Sequence, residues 1–534
     1  MSTPTRPLTP GTVSRRSLLQ GLTALGVGAS LFGAAGCESA VSQASASGEA
    51  GTPQRGGTIK AGIAQDVIPG NFLTNSNTGI TVIIGLAYDF LIRYPNDKVE
   101  PTPSLATAWE LAPDGRSLSL DLRDDVTFHS GRPFTSKDVE FSIKTYADPL
   151  WTAQLRSTAA AITSFDTSEE HVITLGFEHP LGNVFDLLDT VPILDSESID
   201  ELRTGAKFVG TGPFQVTGWQ PNTSISFTRN DTYWVPERPY ADGVEVTIIP
   251  DPKALLAALK SGQVQFANGL SSLDVENLTK GEDFTKIRLE GAEKQLYVGS
   301  NVTAKPLDDV RVRQAIAYAV DKDRVVSDVV RGAGYTASLP WPKYSAAFDE
   351  AANATYARDV TKAKTLLAEV GTIPTLPLTY QTGPLQEALA AIVQSNLADI
   401  GITVELDPVD GAQFVKQLIG AQFKGLWIAI HSWAQYTPST LTVSAYPFNA
   451  RKNASRFQSQ DYVAAADAAW EIADGTSAEA VAAYRTVSEQ LLDEAFLAEI
   501  VIYWEQWATS SSLQGAGYTK RSELLLTDAY LTTT

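Results

Sequence analysis

One cysteine in 534 residues excludes an internal disulfide and every Cys-x-x-Cys redox or zinc motif. Four histidines, His129, His171, His179 and His431, are too few and too scattered for a His-Glu-x-x-His helix. No Gly-x-Ser-x-Gly elbow occurs, and no phosphate loop ends in Gly-Lys-Ser or Gly-Lys-Thr. Gly210-Thr211-Gly212 is too short for a dinucleotide fingerprint and reads as a tight turn packed against a sheet. Basic residues are scarce, 41 against 61 acidic, and they form no stripe that could neutralise phosphates, so nucleic acid is excluded as a partner. Carboxylates are so abundant that a pair of them is no sign of glycoside hydrolysis. The expectation is no enzyme, no catalytic residue, no cofactor and no metal site. A secreted hydrolase is the alternative from a different class.

The N-terminus is rich in what an export signal needs. Residues 1–36 hold no acid, and their only charges are Arg6, Arg15 and Arg16. An apolar, small-residue run over 18–36 follows and ends Ala34-Ala35-Gly36-Cys37. Gln20, Thr23, Ser30 and many glycines interrupt it, which favours cleavage over a membrane span. Ser14-Arg15-Arg16-Ser17-Leu18-Leu19 resembles a twin-arginine signal. Ala34-Ala35-Gly36-Cys37 resembles a bacterial lipobox, with Ala34 where that motif usually has Leu. The single cysteine, Cys37, is then the lipidated residue, and 37–55 is a flexible Ser/Ala/Gly/Gln-rich tether. Cleavage removes three arginines and no acid, moving the net charge from −20 to −23.

The remaining chain of nearly 500 residues is too long for one core and predicts two or three lobes. Residues 56–63 read as a turn leading into a strand. Residues 109–123 read as a hairpin turning at Asp114-Gly115, with Leu118, Leu120 and Leu122 on its apolar face. Thr135 to Asp138 is a capping box opening a helix through Ile143. A second hairpin carries the alternating residues 172–177. Farther on the pattern becomes strand, helix, strand: residues 244–249, a helix capped by Asp251-Pro252 and closed at Gly262, then Val264 and Phe266. Asp308-Asp309 precedes another helix, and residues 385–400 form one that Gly401 ends, before the alternating Ile402, Val404 and Leu406. The expected architecture is α/β: two lobes plus a β-rich insertion.

Four stretches carry a resemblance over essentially the whole mature chain. They are residues 118–139, with Leu-Arg-Asp-Asp-Val-Thr-Phe-His-Ser-Gly-Arg-Pro-Phe; residues 209–214 followed by 229–234; residues 256–266; and residues 308–321. In this order and spacing the chain resembles the family 5 extracytoplasmic solute-binding proteins, which include the dipeptide, oligopeptide and nickel binders of ABC importers. That resemblance implies a two-lobed periplasmic-binding-protein-like clamp with an extra β-rich subdomain. Its lobes would be 56–297, with the insertion at about 90–205, and 298–504, with 505–534 returning to the first. It implies a monomer, lipid-anchored outside the cell membrane, that captures a small solute or peptide between lobes and delivers it to ABC permease subunits. Closure around a ligand needs no chemical step, only contacts made better in the closed form.

In peptide-binding members a Trp-rich loop carries an Asp that pairs with the peptide's amino terminus. Here the matching stretch is 425–438, and Gln435 stands at that position. A buried ammonium without a carboxylate is strongly disfavoured, whereas Gln exchanges neutral hydrogen bonds. Non-peptide solutes, such as an oligosaccharide or a small organic acid, therefore compete with peptides as the ligand. Trp433 and Tyr436 are the candidate aromatic walls. His431 is a candidate ligand contact, or a metal contact in a nickel-chelate reading. Arg451 could meet a carboxylate. Asn71 and Phe72 lie in the loop after the first strand, and Tyr297 and Asn301 lie on the expected crossing strand. Each of these residue types also occurs as ordinary core or surface material.

Overall fold

Leu118, Leu120 and Leu122 send every second side chain of the strand Ser117–Leu122 into the core. That strand pairs with Ala106–Leu111 across a turn in which Gly115 takes φ 69°, a left-handed conformation that suits glycine. Its other neighbour is Val172–Phe177, which pairs in turn with Ile162–Glu169, giving a four-stranded antiparallel sheet. The helix Ser136–Ala147 packs on that sheet, begun by the reciprocal cap of Thr135 and Asp138. It runs a full turn beyond Ile143, the end expected from its pattern.

The structure, a computed structural model, describes residues 53–74, 77–151 and 153–532. The export segment, Cys37 and nearly all of the tether lie outside the described residues.

Two larger mixed sheets organise the rest. The first has seven strands in the order Phe284–Arg288, Gln506–Ser510, Phe266–Asn268, Thr58–Ile63, Gly243–Ile248, Ser224–Arg229, Phe214–Gln220. Asp251 caps the helix Pro252–Lys260 between two of its parallel strands. The second has six, in the order Gly334–Thr336, Leu497–Tyr503, Lys294–Ser300, Leu426–His431, Leu376–Gln381, Val404–Val409. The helix Pro384–Asp399 connects Leu376–Gln381 to its parallel neighbour, and Gly401 follows at φ 87°.

The chain passes between these sheets twice, at residues 289–293 and 504–505. The two passages lie side by side: the Leu289 amide donates to the Glu505 carbonyl at 3.0 Å, and Lys294 pairs with the Glu505 carboxylate at 2.6 Å. One face of the second sheet carries Leu296, Val298, Leu426, Ile428 and Ala498 into a core of its own. Its other face, with Tyr297, Trp427 and Ala429, joins the large core that includes the first sheet. Gly210 and Gly212 pack on the backbone of Ala87 and Tyr88, at the end of the helix Thr78–Ala87, and not on a sheet. A Cβ at Gly210 would stand 2.0 Å from the Ala87 oxygen.

Candidate functional site

Strand Leu426–His431 is central in the second sheet and leads into residues 432–437 and the helix Pro438–Ser444. This stretch is polar yet buried: Gln435, Tyr436, Ser439 and Thr440 are each at most 1% exposed. Buried polar groups need partners, and Gln435, Tyr436 and Thr440 find theirs on segments that precede the first passage or follow the second.

The short helix Val184–Thr190 supplies two carboxylates. Asp186 accepts hydrogen bonds from the Tyr94 hydroxyl (3.0 Å), the Thr437 amide and hydroxyl (both 3.1 Å) and the Thr440 hydroxyl (2.6 Å). Asp189 accepts from the Tyr436 hydroxyl at 2.7 Å and the Tyr94 amide at 3.1 Å. Burial pushes the Asp186 carboxyl up to about 7 and Asp189 up to about 6, while the donors pull both the other way. Asn183 extends the seam, donating to Thr440 at 2.9 Å and accepting from the Trp470 indole at 2.7 Å.

The C-terminal loop closes the other side. Gln435 donates to the Lys520 carbonyl at 3.0 Å, and its side-chain oxygen has no hydrogen-bond partner. The Arg521 guanidinium lies 5.0 Å from the centre of the Trp433 ring and donates to the Thr190 carbonyl at 2.9 Å. Trp433 stacks on Tyr436 at 5.8 Å, and Tyr94 meets Tyr436 at 5.9 Å. Lys520 donates to the Asn96 carbonyl at 2.8 Å and lies over the Tyr344 ring, and burial lowers its ammonium to about 8.

His431 ends its strand with Nδ1 3.1 Å from the Gln295 side-chain oxygen and 3.3 Å from the Trp433 amide. Burial holds the ring down to about 3, so it is neutral at any ordinary pH. Phe448 bridges it to Tyr297, at 4.9 and 6.1 Å. The structure thus gathers His431, Trp433, Gln435, Tyr436 and Tyr297. It places the other candidates apart from them. Asn301 donates to the Phe423 carbonyl at 2.8 Å and caps Thr303, as a loop-shaping residue does. Phe72 is fully buried against Tyr88 and Phe208, with Asn71 beside it in the same short turn. Arg451 is exposed and ion-paired with Asp467 at 2.6 Å.

Sequence reasoning did not single out Asp186, Asp189, Lys520 or Arg521. The signal for the aspartates was present: two acids three residues apart inside the run 184–194, which is apolar apart from them and Thr190. Lys520 and Arg521 gave no such signal, because only the return of the C-terminus brings them to residues 433–436. Among the described residues, no group of three or more His, Cys, Asp or Glu side chains is placed to hold a metal ion.

This arrangement can hold distant segments of the chain together. Residues 100–455 match the family described as bacterial extracellular solute-binding proteins, family 5. The chain belongs to that family. Among relatives of the family 5 protein, the oligopeptide-binding protein AppA of Bacillus subtilis is 28% identical over 71% of this chain and 74% of its own. A Brucella ovis protein named a putative ABC transporter peptide-binding protein is 30% identical over 66% and 69%. The dipeptide-binding protein of Escherichia coli is 27% identical over 62% and 67%. Of solved structures, AgaA from A. tumefaciens R10 in complex with agropinic acid superposes with a TM-score of 0.79 at 24% identity, over 90% of this chain and 99% of its own. AppA with a nonapeptide gives 0.78 at 22%, over 90% and 100%. These likenesses establish the periplasmic-binding-protein fold for the family 5 protein. Its relatives are extracytoplasmic solute-binding proteins of ABC transporters, not enzymes. No described helix is long and apolar enough to cross a membrane.

Proposed function

We propose that this family 5 protein is the lipid-anchored capture subunit of an ABC importer. It takes up a small organic solute in a cleft between its two sheet-centred lobes and presents the closed form to the permease. The observation that carries the reading is the polar seam of Asp186, Asp189 and Asn183 against residues 436–440. A seam of this kind holds two lobes shut around whatever lies between them, and a ligand adds only the contacts it gains on closure. The lobes are taken as 56–297, with the insertion at about 90–205, and 298–504, with 505–534 returning to the first. The anchor is Cys37, acylated after export, and the protein works as a monomer.

Gln435 supports a second ligand class beside peptides. With Gln435 bound to the Lys520 carbonyl and its own oxygen buried without a hydrogen-bond partner, the loop offers a neutral acceptor where peptide binders offer an acid. Non-peptide solutes then fit as well as peptides with free amino termini.

The test is a thermal-shift screen of residues 38–534 against peptides, oligosaccharides, organic acids and nickel chelates. A true ligand at 100 times its Kd adds about 2.7 kcal/mol and raises the melting temperature accordingly. The expected outcome is a saturable shift in at least one class, lost on Trp433→Ala. No shift in any class overturns the reading. For the anchor, Cys37→Ala is expected to move the full-length protein from the membrane fraction to the soluble fraction.

A further inference from the structure

The C-terminal hairpin pairs Gly517–Tyr518 with Leu524–Leu525 and turns through residues 519–523. Its turn is over-determined. The Thr519 amide donates to the Glu523 carbonyl at 3.1 Å, and the Thr519 hydroxyl donates to the Glu523 carboxylate at 2.9 Å. The same hydroxyl accepts from the Arg521 and Glu523 amides, both at 3.2 Å. Ser522 takes the left-handed φ 58° and donates its amide to the Thr519 carbonyl at 2.9 Å. A satisfied polar network of this kind is rigid, so the turn moves as one piece.

One side of the turn grips the first passage between the sheets. The Tyr518 hydroxyl lies 2.8 Å from the Arg288 carbonyl and 3.0 Å from that of Glu290. The Lys520 ammonium lies 4.5 Å from the centre of the Tyr344 ring. The Tyr344 hydroxyl in turn donates to the Glu293 carboxylate at 2.8 Å and lies 3.2 Å from the Gly291 carbonyl. Lys520 also donates to the Asn96 carbonyl, the group on which Gly291 packs at φ 86°. A Cβ at Gly291 would stand 1.8 Å from that oxygen, so the passage lies directly on it. Tyr344 itself comes from residues 337–349, which follow the strand Gly334–Thr336 of the second sheet.

The other side of the turn holds the candidate loop. The Lys520 carbonyl accepts from the Gln435 side chain, and the Arg521 guanidinium lies over the Trp433 ring. Two adjacent residues therefore carry contacts to the passage and contacts to residues 433–435. Neither set can shift without moving the turn that carries the other.

We propose that the turn 519–523 couples the loop at 433–436 to the passage between the two sheets, with Lys520 as the positioning residue at its centre. Moving the passage displaces Lys520, and with it the carbonyl that holds Gln435; moving the loop acts in reverse. The use of this coupling rests on the solute-binding reading above. A solute seated against Trp433 and Gln435 would act through the turn on the segment that bends as the lobes close.

Hydrogen–deuterium exchange of residues 38–534 tests the coupling with no ligand present. Lys520→Met replaces the ammonium with an apolar end and keeps the backbone carbonyl; Tyr344→Phe removes one hydroxyl. Neither altered group bonds to residues 431–437. Each variant is expected to speed amide exchange at 288–293 and also, about fivefold or more, at 431–437. Gln435→Leu is expected to speed exchange at 288–293 in return, because coupling is reciprocal. Circular dichroism establishes that each variant is folded, and the other two decide the matter should Lys520→Met not fold. A change confined to the substituted end, in either direction, overturns the proposal. So does a rise shared equally by the distant strand Ser117–Leu122, which marks general loosening. The ligand screen is a separate measurement: purely local changes leave the solute-binding reading standing. Coupled exchange with no thermal shift in that screen removes the solute and keeps the turn as a conformational link.

Discussion

Tyr436 reaches across the molecule to place its hydroxyl 2.7 Å from Asp189, and both groups are buried. Tyr436→Phe keeps the ring and its stacking on Trp433 but leaves the carboxylate short of a donor. The expected cost is about 1–3 kcal/mol, read as a lower midpoint in urea denaturation. His431 titrates with the opposite sense to its acidic neighbours. Its folded value, about 3, lies below the ordinary 6.5, so its stabilising contribution is complete above 6.5 and is lost as pH falls toward 3. Asp186 and Asp189, raised from 3.8, contribute stability that is complete below that value and is lost as pH rises through 6 to 7. Taking wild type minus His431→Asn isolates the histidine: the difference should shrink by about 2 kcal/mol between pH 7 and pH 5. A difference that does not change with pH would show that the ring protonates as readily in the folded protein as in the unfolded one.

Elements with a local cause were legible in the sequence. The Asp114-Gly115 hairpin, the Thr135–Asp138 cap, the Asp251-Pro252 start and the Gly401 stop depend on neighbours in the chain, and each stands where its residues predict. The helices Gly411–Gly420, Gln460–Trp470 and Ala478–Glu494 are less legible in the sequence. Their alanine-rich or mixed faces acquire an inside and an outside only from what packs on them. Strand Lys294–Ser300 shows the tertiary requirement most sharply. A Cβ at Gly299 would stand 2.2 Å from the Trp427 ring, which lies flat on the strand opposite. Gly299→Ala should therefore displace Trp427, lowering the melting temperature and altering tryptophan fluorescence, where an ordinary strand glycine would tolerate alanine.

At the scale of the whole molecule, segments more than 240 residues apart in sequence meet at Asp186 and Asp189. If this seam holds the cleft shut, Asp186→Ala, which strands the Tyr94, Thr437 and Thr440 donors, shifts the population toward an open form. The expected readout is a larger radius of gyration in small-angle scattering with unchanged circular dichroism. Ligand affinity should fall by the fraction of closed form lost. A radius identical to wild type would assign the seam to stability alone.

The sequence by itself determined the family, the α/β class, the hairpins and helix caps, and the loop at 431–436, because spacing and local backbone chemistry carry those. Only the tertiary structure decided which groups share that loop's surroundings. It separated Arg451 and Phe72 from Trp433, and it brought in Asp186, Asp189, Lys520 and Arg521. A buried charge or an unpartnered oxygen is defined by the atoms around it, and those atoms come from distant parts of the chain that only packing brings together.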